Sequence, residues 1–291
     1  MILARTIDVS RHYGPAIALD GVSLSIAAGE LVGLLGPNGA GKSTLLNLLT
    51  GLRRPTSGTV ELFGGSPADP ANRRYIGVTP QETGLPPTLR VGECVDYVAA
   101  HFPDPVPRAE LLAQFGLSDL ARRQTGGLSG GQRRRLAVAL ACVGRPRLVF
   151  LDEPTTGLDV EVRRVLWDAI RAFHADGGTV LLTSHYLEEV EALAQRVVVL
   201  GAGKVLADDT VAAVRGMVGV HRVSFDAQPL PPLDGVVSTS ESDGRVNLLT
   251  PDPDALVRAL VLSGVDFRHL EVQPTTLEEA FLHLTADLAT V

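Results

Sequence analysis

Three apolar runs, Leu31-Val32-Gly33-Leu34-Leu35, Leu148-Val149-Phe150-Leu151 and Thr179 to Thr183, are continuous rather than alternating. Such runs read as strands buried on both faces, the pattern of a parallel sheet. Val197 to Leu200 and Lys204 to Asp208 read as further strands, and Thr59 to Phe63 and Tyr75 to Thr79 as short ones. Leu3 to Val9 and Leu19 to Ile26 differ from these. In the second, Val22, Leu24 and Ile26 alternate with polar or small residues, which predicts an antiparallel region packed on one face. Helical spacing appears at Leu45 to Leu49, at Val91, Val95, Val98 and Phe102, and at Leu111, Leu112 and Phe115. It returns in a helix beginning around Arg133, in the stripe Val162, Val165, Leu166, Ala169, Ile170 and Phe173, and from Leu187 to Ala194.

From about Arg215 the texture changes. Val223 and Phe225 suggest one strand, and Val236 to Thr239 and Val246 to Leu249 flank the hairpin turn Ser242-Asp243-Gly244. A helix around Leu256 to Leu262, a strand from Val265 to Leu270 and a last helix follow. That helix opens on the capping-box pattern Thr276-Leu277-Glu278-Glu279 and carries the stripe Leu277, Phe281 and Leu284. The division predicted is residues 1–214, with a helical subdomain inserted over about 86–142, and a small α+β domain over 215–291.

Composition is that of an ordinary globular protein, and no apolar run approaches the roughly 20 residues that span a bilayer. Arg5, Asp8, Arg11 and His12 interrupt any signal-peptide pattern, which predicts a cytoplasmic protein. The net charge of −7 argues against broad attachment to nucleic acid. The two cysteines, Cys94 and Cys142, have no metal-binding spacing and read as buried thiols.

The candidate chemistry sits at the strand ends. Gly36-Pro37-Asn38-Gly39-Ala40-Gly41-Lys42-Ser43-Thr44 lies between a buried strand and a helix, the setting a phosphate-binding loop requires. Its glycines turn backbone N–H groups inward around a polyphosphate; Lys42 reaches the β- and γ-phosphates, and the Ser43 hydroxyl is placed to ligate Mg²⁺. The strand at 148–151 ends in Asp152 and Glu153, one placed to hold Mg²⁺ and the other to take a proton from an attacking water. His185 ends another strand on the edge where ligands sit in such sheets. Ser129-Gly130-Gly131-Gln132 precedes a helix and is either a second anion site or an ordinary N-cap. Arg133, Arg134 and Arg135 read as a solvated face, and Tyr13 as a half-buried residue between the first two strands.

Taken in order, Tyr13, GPNGAGKST, Gln81, LSGGQ, LVFLDEP, GLD and His185 resemble the nucleotide-binding subunit of an ABC transporter, over the first two-thirds of the chain. The resemblance implies an α/β fold: a phosphate-loop NTPase core of ABC type with an antiparallel β region and an inserted helical subdomain, followed by the small α+β domain. It implies ATP and Mg²⁺ as cofactors, with Tyr13 stacking on the adenine, Gln81 touching Mg²⁺ and the attacking water, Glu153 as general base and His185 at the γ-phosphate. Ser129, Gly131 and Gln132 would contact ATP held by an opposite subunit in a head-to-tail dimer, with Asp159 at its seam. A polytopic membrane permease would complete the assembly at the cytoplasmic face of the cell membrane. The segment Thr275 to Thr285 is similar to the C-terminal segment of the drug and antibiotic export branch, of the daunorubicin-resistance type. An importer subunit, or an ABC-type factor acting on ribosomes or DNA, stands as the alternative.

Overall fold

The computed structural model describes residues 1–79, 84–217, 219–227, 233–242 and 244–286. The chain divides into two compact units, Met1–Asp209 and Thr210–Val291.

In the first unit, β1 (Ile2–Tyr13) and β2 (Ala16–Ala27) precede β3 (Leu31–Leu35), α1 (Lys42–Leu49) and β4 (Ser57–Leu62). Then come α2 (Pro70–Arg73), β5 (Ile76–Thr79), α3 (Val91–Ala99), α4 (Arg108–Gln114) and α5 (Gly130–Cys142). The unit closes with β6 (Leu148–Asp152), α6 (Val160–Ala175), β7 (Thr179–Thr183), α7 (Leu187–Leu193), β8 (Arg196–Gly201) and β9 (Lys204–Thr210), the last of which ends at the boundary.

Six strands form one sheet in the order β5-β6-β7-β3-β8-β9, and β2-β1-β4 form a second, antiparallel sheet. Every residue of β3, β6 and β7 is buried, which is why their sequences run apolar without alternation. These three strands are parallel neighbours, with Leu34 opposite Thr183 and Thr183 opposite Asp152. Register therefore brings the chain just before Gly36, the acids at 152–153 and the segment before His185 to one edge. Val22, Leu24 and Ile26 enter the same core as Leu34, Leu45, Phe150 and Val198, so the alternating strand packs as its pattern predicts. Both cysteines are buried and free, and burial pushes the Cys142 thiol up to about 12.

The second unit carries α8 (Val211–Gly216), β10 (His221–Asp226), β11 (Ser238–Ser242), β12 (Arg245–Thr250), α9 (Pro253–Leu262), β13 (Arg268–Pro274) and α10 (Leu277–Ala286). Its sheet has the order β11-β12-β10-β13 and is antiparallel throughout. Val223, Phe225, Val246 and Leu248 form its core with Leu256 and Leu260 of α9. The expected capping box of α10 is formed: Glu279 N donates to Thr276 Oγ1 at 3.3 Å, and Thr276 N to Glu279 Oε2 at 2.8 Å. Helix α8 belongs to this unit, because Arg215 Nε donates to Thr275 O at 2.6 Å and Thr275 Oγ1 donates back to Arg215 O at 2.9 Å.

Helices α2 and α8 lie outside the sequence expectation, and three expected elements are displaced. Strand β13 runs from Arg268, not Val265, because Val265 and Phe267 pack on the core from the segment before the ladder begins. Strand β11 is the polar Ser238–Ser242, and Val236 likewise packs ahead of it. Its hairpin partner begins at Arg245, after Gly244 at φ +78°, and Asp243 lies outside the described residues. Helix α5 starts at Gly130 rather than near Arg133, because Ser129 caps it.

Candidate functional site

The glycine-rich turn takes its shape from close packing. A Cβ on Gly36 would lie 2.5 Å from the Leu200 carbonyl oxygen of β8, so no larger residue fits there. Gly41 sits at φ +104°, with the Ala18 carbonyl oxygen 2.5 Å from where its Cβ would be. Lys42 opens α1 and folds back over the turn. Its ammonium donates to Gly36 O at 2.6 Å and Pro37 O at 3.1 Å. Burial lowers the Lys42 pKa, and Glu153 and Asp152 pull it back up. The loop thus holds a largely desolvated cation at a helix N-terminus, the electrostatic setting that a polyphosphate satisfies.

The acids come from the end of β6. Asp152 Oδ1 accepts from Thr183 Oγ1 at 2.6 Å. The same Thr183 hydroxyl accepts from Glu153 N at 2.9 Å, so one buried threonine of β7 sets both acidic residues. Glu153 adopts φ +50°, an unfavourable conformation for a residue with a Cβ, of the kind that persists where surrounding structure enforces it. Its Oε1 pairs with His185 Nε2, and its Oε2 accepts from Thr156 Oγ1 at 3.4 Å.

A cleft of about 540 Å³ joins these parts. It is lined by Tyr13, Ala18, residues 38–44, Glu153 and His185. Tyr13 ends β1 with its ring exposed and the Arg11 guanidinium carbon 4.6 Å from the ring centroid. Gly36 and Pro37 contribute through the carbonyls that hold Lys42. Gln81 lies outside the described residues.

Ser129, Gly130, Gly131, Gln132 and Asp159 do not line this cleft. Ser129 and Gln132 form a capping box, with Gln132 N donating to Ser129 Oγ at 3.2 Å and Ser129 N to Gln132 Oε1 at 2.9 Å. Asp159 caps α6 by accepting from Val162 N at 2.8 Å. The two helix starts are adjacent, since a Cβ on Gly131 would meet Leu158 and Val162 side chains at 3.2 and 3.3 Å.

Two features lay beyond the sequence reading. Thr183 reads there only as a strand end, and its hub role follows from β7 lying beside β6. The arginines are not a solvated face. Arg134 donates to the Asp152, Glu153 and Pro154 carbonyls, and Arg135 to those of Phe115 and Gly116. Only Arg133 of the three is exposed.

Glu189 of α7 is wholly buried, and Trp167 Nε1 donates to its Oε1 at 3.0 Å. Burial raises the Glu189 pKa, against the opposing pull of Ser184, Trp167, Thr155 and Arg163. The native state therefore holds this proton to higher pH than the unfolded chain, and stability falls as pH rises between the two pKa values. Glu189→Gln keeps an acceptor for the indole and removes the titration. The variant is expected to match wild type in urea midpoint below the usual carboxylate range and to exceed it once pH rises through that range. A difference independent of pH would show that the carboxyl titrates alike in both states.

Fold and cleft together place the chain among the phosphate-loop nucleoside triphosphatases. Comparison with known proteins narrows this. The family model for the ABC transporter matches residues 19–156. The daunorubicin resistance ATP-binding protein DrrA3 of Streptomyces coeruleorubidus is 38% identical, over 98% of this chain and 96% of its own length. A Nod factor export ATP-binding protein I of Burkholderia lata is 35% identical, over 96% and 95%. Among solved structures, an ATP-binding subunit of an ABC transporter superposes with a TM-score of 0.68 at 29% identity, covering 75% of this chain and 93% of its own. A dimeric, post-hydrolysis ATP-binding cassette bound to ADP and Pi superposes with a TM-score of 0.65 at 27% identity, over 72% and 98%. The chain belongs to the ATP-binding subunits of the ABC transporter family and is an ATPase.

Proposed function

We propose that the chain hydrolyses ATP in the cleft between Lys42 and Glu153 and thereby powers export of a drug-like, antibiotic or lipid-like molecule through a separate membrane permease. The observation that carries the reading is the convergence of the residue 38–44 loop, Glu153 and His185 on one cleft. In the reaction, water oxygen attacks the γ-phosphorus while the Glu153 carboxylate takes a water proton. The bond from that phosphorus to the β–γ bridging oxygen breaks, giving ADP and phosphate. Lys42 binds the β- and γ-phosphates, His185 touches the γ-phosphate, and Tyr13 stacks on the adenine.

Magnesium fits the oxygen donors available. Among the described residues no cluster of three or more His, Cys, Asp or Glu suits a metal. Mg²⁺, however, characteristically takes one or two protein oxygens and completes its shell with waters and substrate phosphates. Ser43, exposed in the first turn of α1, and Asp152, whose carboxylate retains acceptor capacity beyond the Thr183 bond, are the residues that would hold it, with Gln81 as a third. The ion would neutralise charge building on the phosphate oxygens.

Hydrolysis is coupled to movement by a head-to-tail dimer, in which Ser129, Gly130, Gly131 and Gln132 of one copy close on ATP held by the other, with Asp159 at the seam. ATP favours the closed form and its hydrolysis removes that preference. Among the described residues no helix is long and apolar enough to cross a membrane. A polytopic permease would hold the ATPase at the cytoplasmic face of the cell membrane. Export, rather than import, draws its support from relatives named for drug resistance and Nod factor export.

The test is affinity capture of the Glu153→Gln protein with Mg-ATP from detergent-solubilised membranes of its own cell, read by mass spectrometry. A co-purifying multi-span membrane protein is the expected result. Ribosomal or DNA-associated proteins without such a partner would overturn the transport assignment and leave the ATPase chemistry intact.

A further inference from the structure

We propose that Arg134 is a positioning residue for the Glu153 carboxylate, linking the helix that begins at the LSGGQ segment to the turn that presents the general base. The inference rests on the proposed role of Glu153.

Arg134 lies in the second turn of α5, one turn beyond the Ser129–Gln132 capping box. Its Nη2 donates to the carbonyl oxygens of Asp152 and Glu153, the latter at 2.8 Å, and its Nε donates to Pro154 O at 3.2 Å. One guanidinium thus gathers three consecutive carbonyls where β6 leaves the sheet. These three bonds run to peptide oxygens and so fix the path of the backbone. Burial lowers the Arg134 pKa while Asp152, Glu153 and Glu189 draw it up, the mark of a cation held inside the protein close to the acids.

That backbone needs holding. Glu153 sits at φ +50°, and its N–H is taken by Thr183 from the β7 side. Arg134 supplies the complementary grip on the carbonyl side. With both in place, the Glu153 side chain is directed at the cleft and His185. A planar fork with several fixed donors suits three carbonyls on one turn, whereas a lysine offers a single ammonium point.

The position of Arg134 gives the grip a second consequence. Gly131, at the start of the same helix, packs against Leu158 and Val162 beyond the turn. A rotation of α5 that accompanied engagement of ATP by Ser129 and Gly131 would move Arg134 with it and alter the Glu153 turn. The carboxylate then reaches its working geometry when the signature helix is seated.

The experiment compares steady-state ATP turnover of the full chain with Arg134→Gln, Arg134→Lys, Glu153→Gln and the double variant Glu153→Gln/Arg134→Gln. Arg134→Gln is expected to lower kcat about tenfold or more with KM for ATP within about twofold, because the carboxylate is displaced while the phosphate loop is untouched. Arg134→Lys should recover part of the loss. In the Glu153→Gln background, removal of Arg134 should change residual turnover less than about twofold, since residues acting as a unit are non-additive. A generally structural arginine would instead lower turnover by the same factor in both backgrounds, which overturns the proposal. So does wild-type kcat in Arg134→Gln, or a loss confined to KM. Should Arg134→Gln not fold, Arg134→Lys decides: reduced kcat at an unchanged melting temperature supports the proposal, and wild-type kcat overturns it. Full turnover in Glu153→Gln would remove the base assignment and this proposal together. An inactive Glu153→Gln beside a fully active Arg134→Gln would remove this proposal alone.

Discussion

Glu153→Gln is expected to lower ATP turnover by about 10² to 10³-fold and to leave ATP affinity within about threefold of wild type. The substitution keeps the volume of the side chain and its ability to accept from Thr156, and it leaves the backbone grip of Thr183 and Arg134 in place. In the reaction proposed above, what it removes is the basicity that takes a proton from water. Lys42 and its loop, proposed to bind the phosphates, are unaltered, so the loss is expected in kcat. Phosphate release under saturating Mg-ATP, paired with equilibrium titration of a fluorescent ATP analogue, separates the two quantities. Wild-type turnover would remove Glu153 from the role of base, and a loss of affinity matching the loss of turnover would make it a binding residue.

Lys42→Ala is expected to act on the other quantity, weakening ATP binding by about 2–5 kcal/mol, or roughly thirtyfold to several-thousandfold in Kd. The ammonium is bound to the Gly36 and Pro37 carbonyls, so truncation removes both the cation proposed to meet the phosphates and the clasp on the loop. The fold itself should lose little, because the lost hydrogen bonds are offset by relief of a desolvated charge. Isothermal titration with Mg-ATP beside a thermal melt tests both halves. A Kd within about threefold of wild type would show that the backbone N–H groups and helix N-terminus suffice. A collapse of the melting temperature would make Lys42 a structural clasp first.

The parts of this site that are legible in the sequence are those whose chemistry is local. GPNGAGKST carries its own turn, cation and helix start, and LVFLDEP carries a buried strand with acids at its end, so each carries its own local structure. What is not legible depends on a neighbour supplied by the fold. Thr183 is an unremarked threonine until β7 lies beside β6 and its hydroxyl falls between Asp152 and Glu153 N. Arg134 resembles its exposed neighbour Arg133 in type and spacing, and only the packing of α5 against the end of β6 distinguishes them. The displaced β11 and β13 share a cause of the same kind. Val236, Val265 and Phe267 are apolar because they cover a core, yet the ladders they were expected to join begin further along the chain. Edge strands with polar faces, such as Ser238–Ser242, leave little hydrophobic pattern to read.

The strand order has a consequence for how the protein is made. Lys42 and its loop follow β3, but the neighbours of β3 in the sheet are β7 and β8, and β6 joins only through β7. On a ribosome, the phosphate loop therefore emerges long before the strands that flank and back it. An unfinished chain ending near β5 would possess the motif without its cleft. Such long-range pairing is slow to nucleate and leaves apolar strands waiting for partners. A nucleotide that binds only the assembled site would stabilise completed molecules over unfinished ones by mass action.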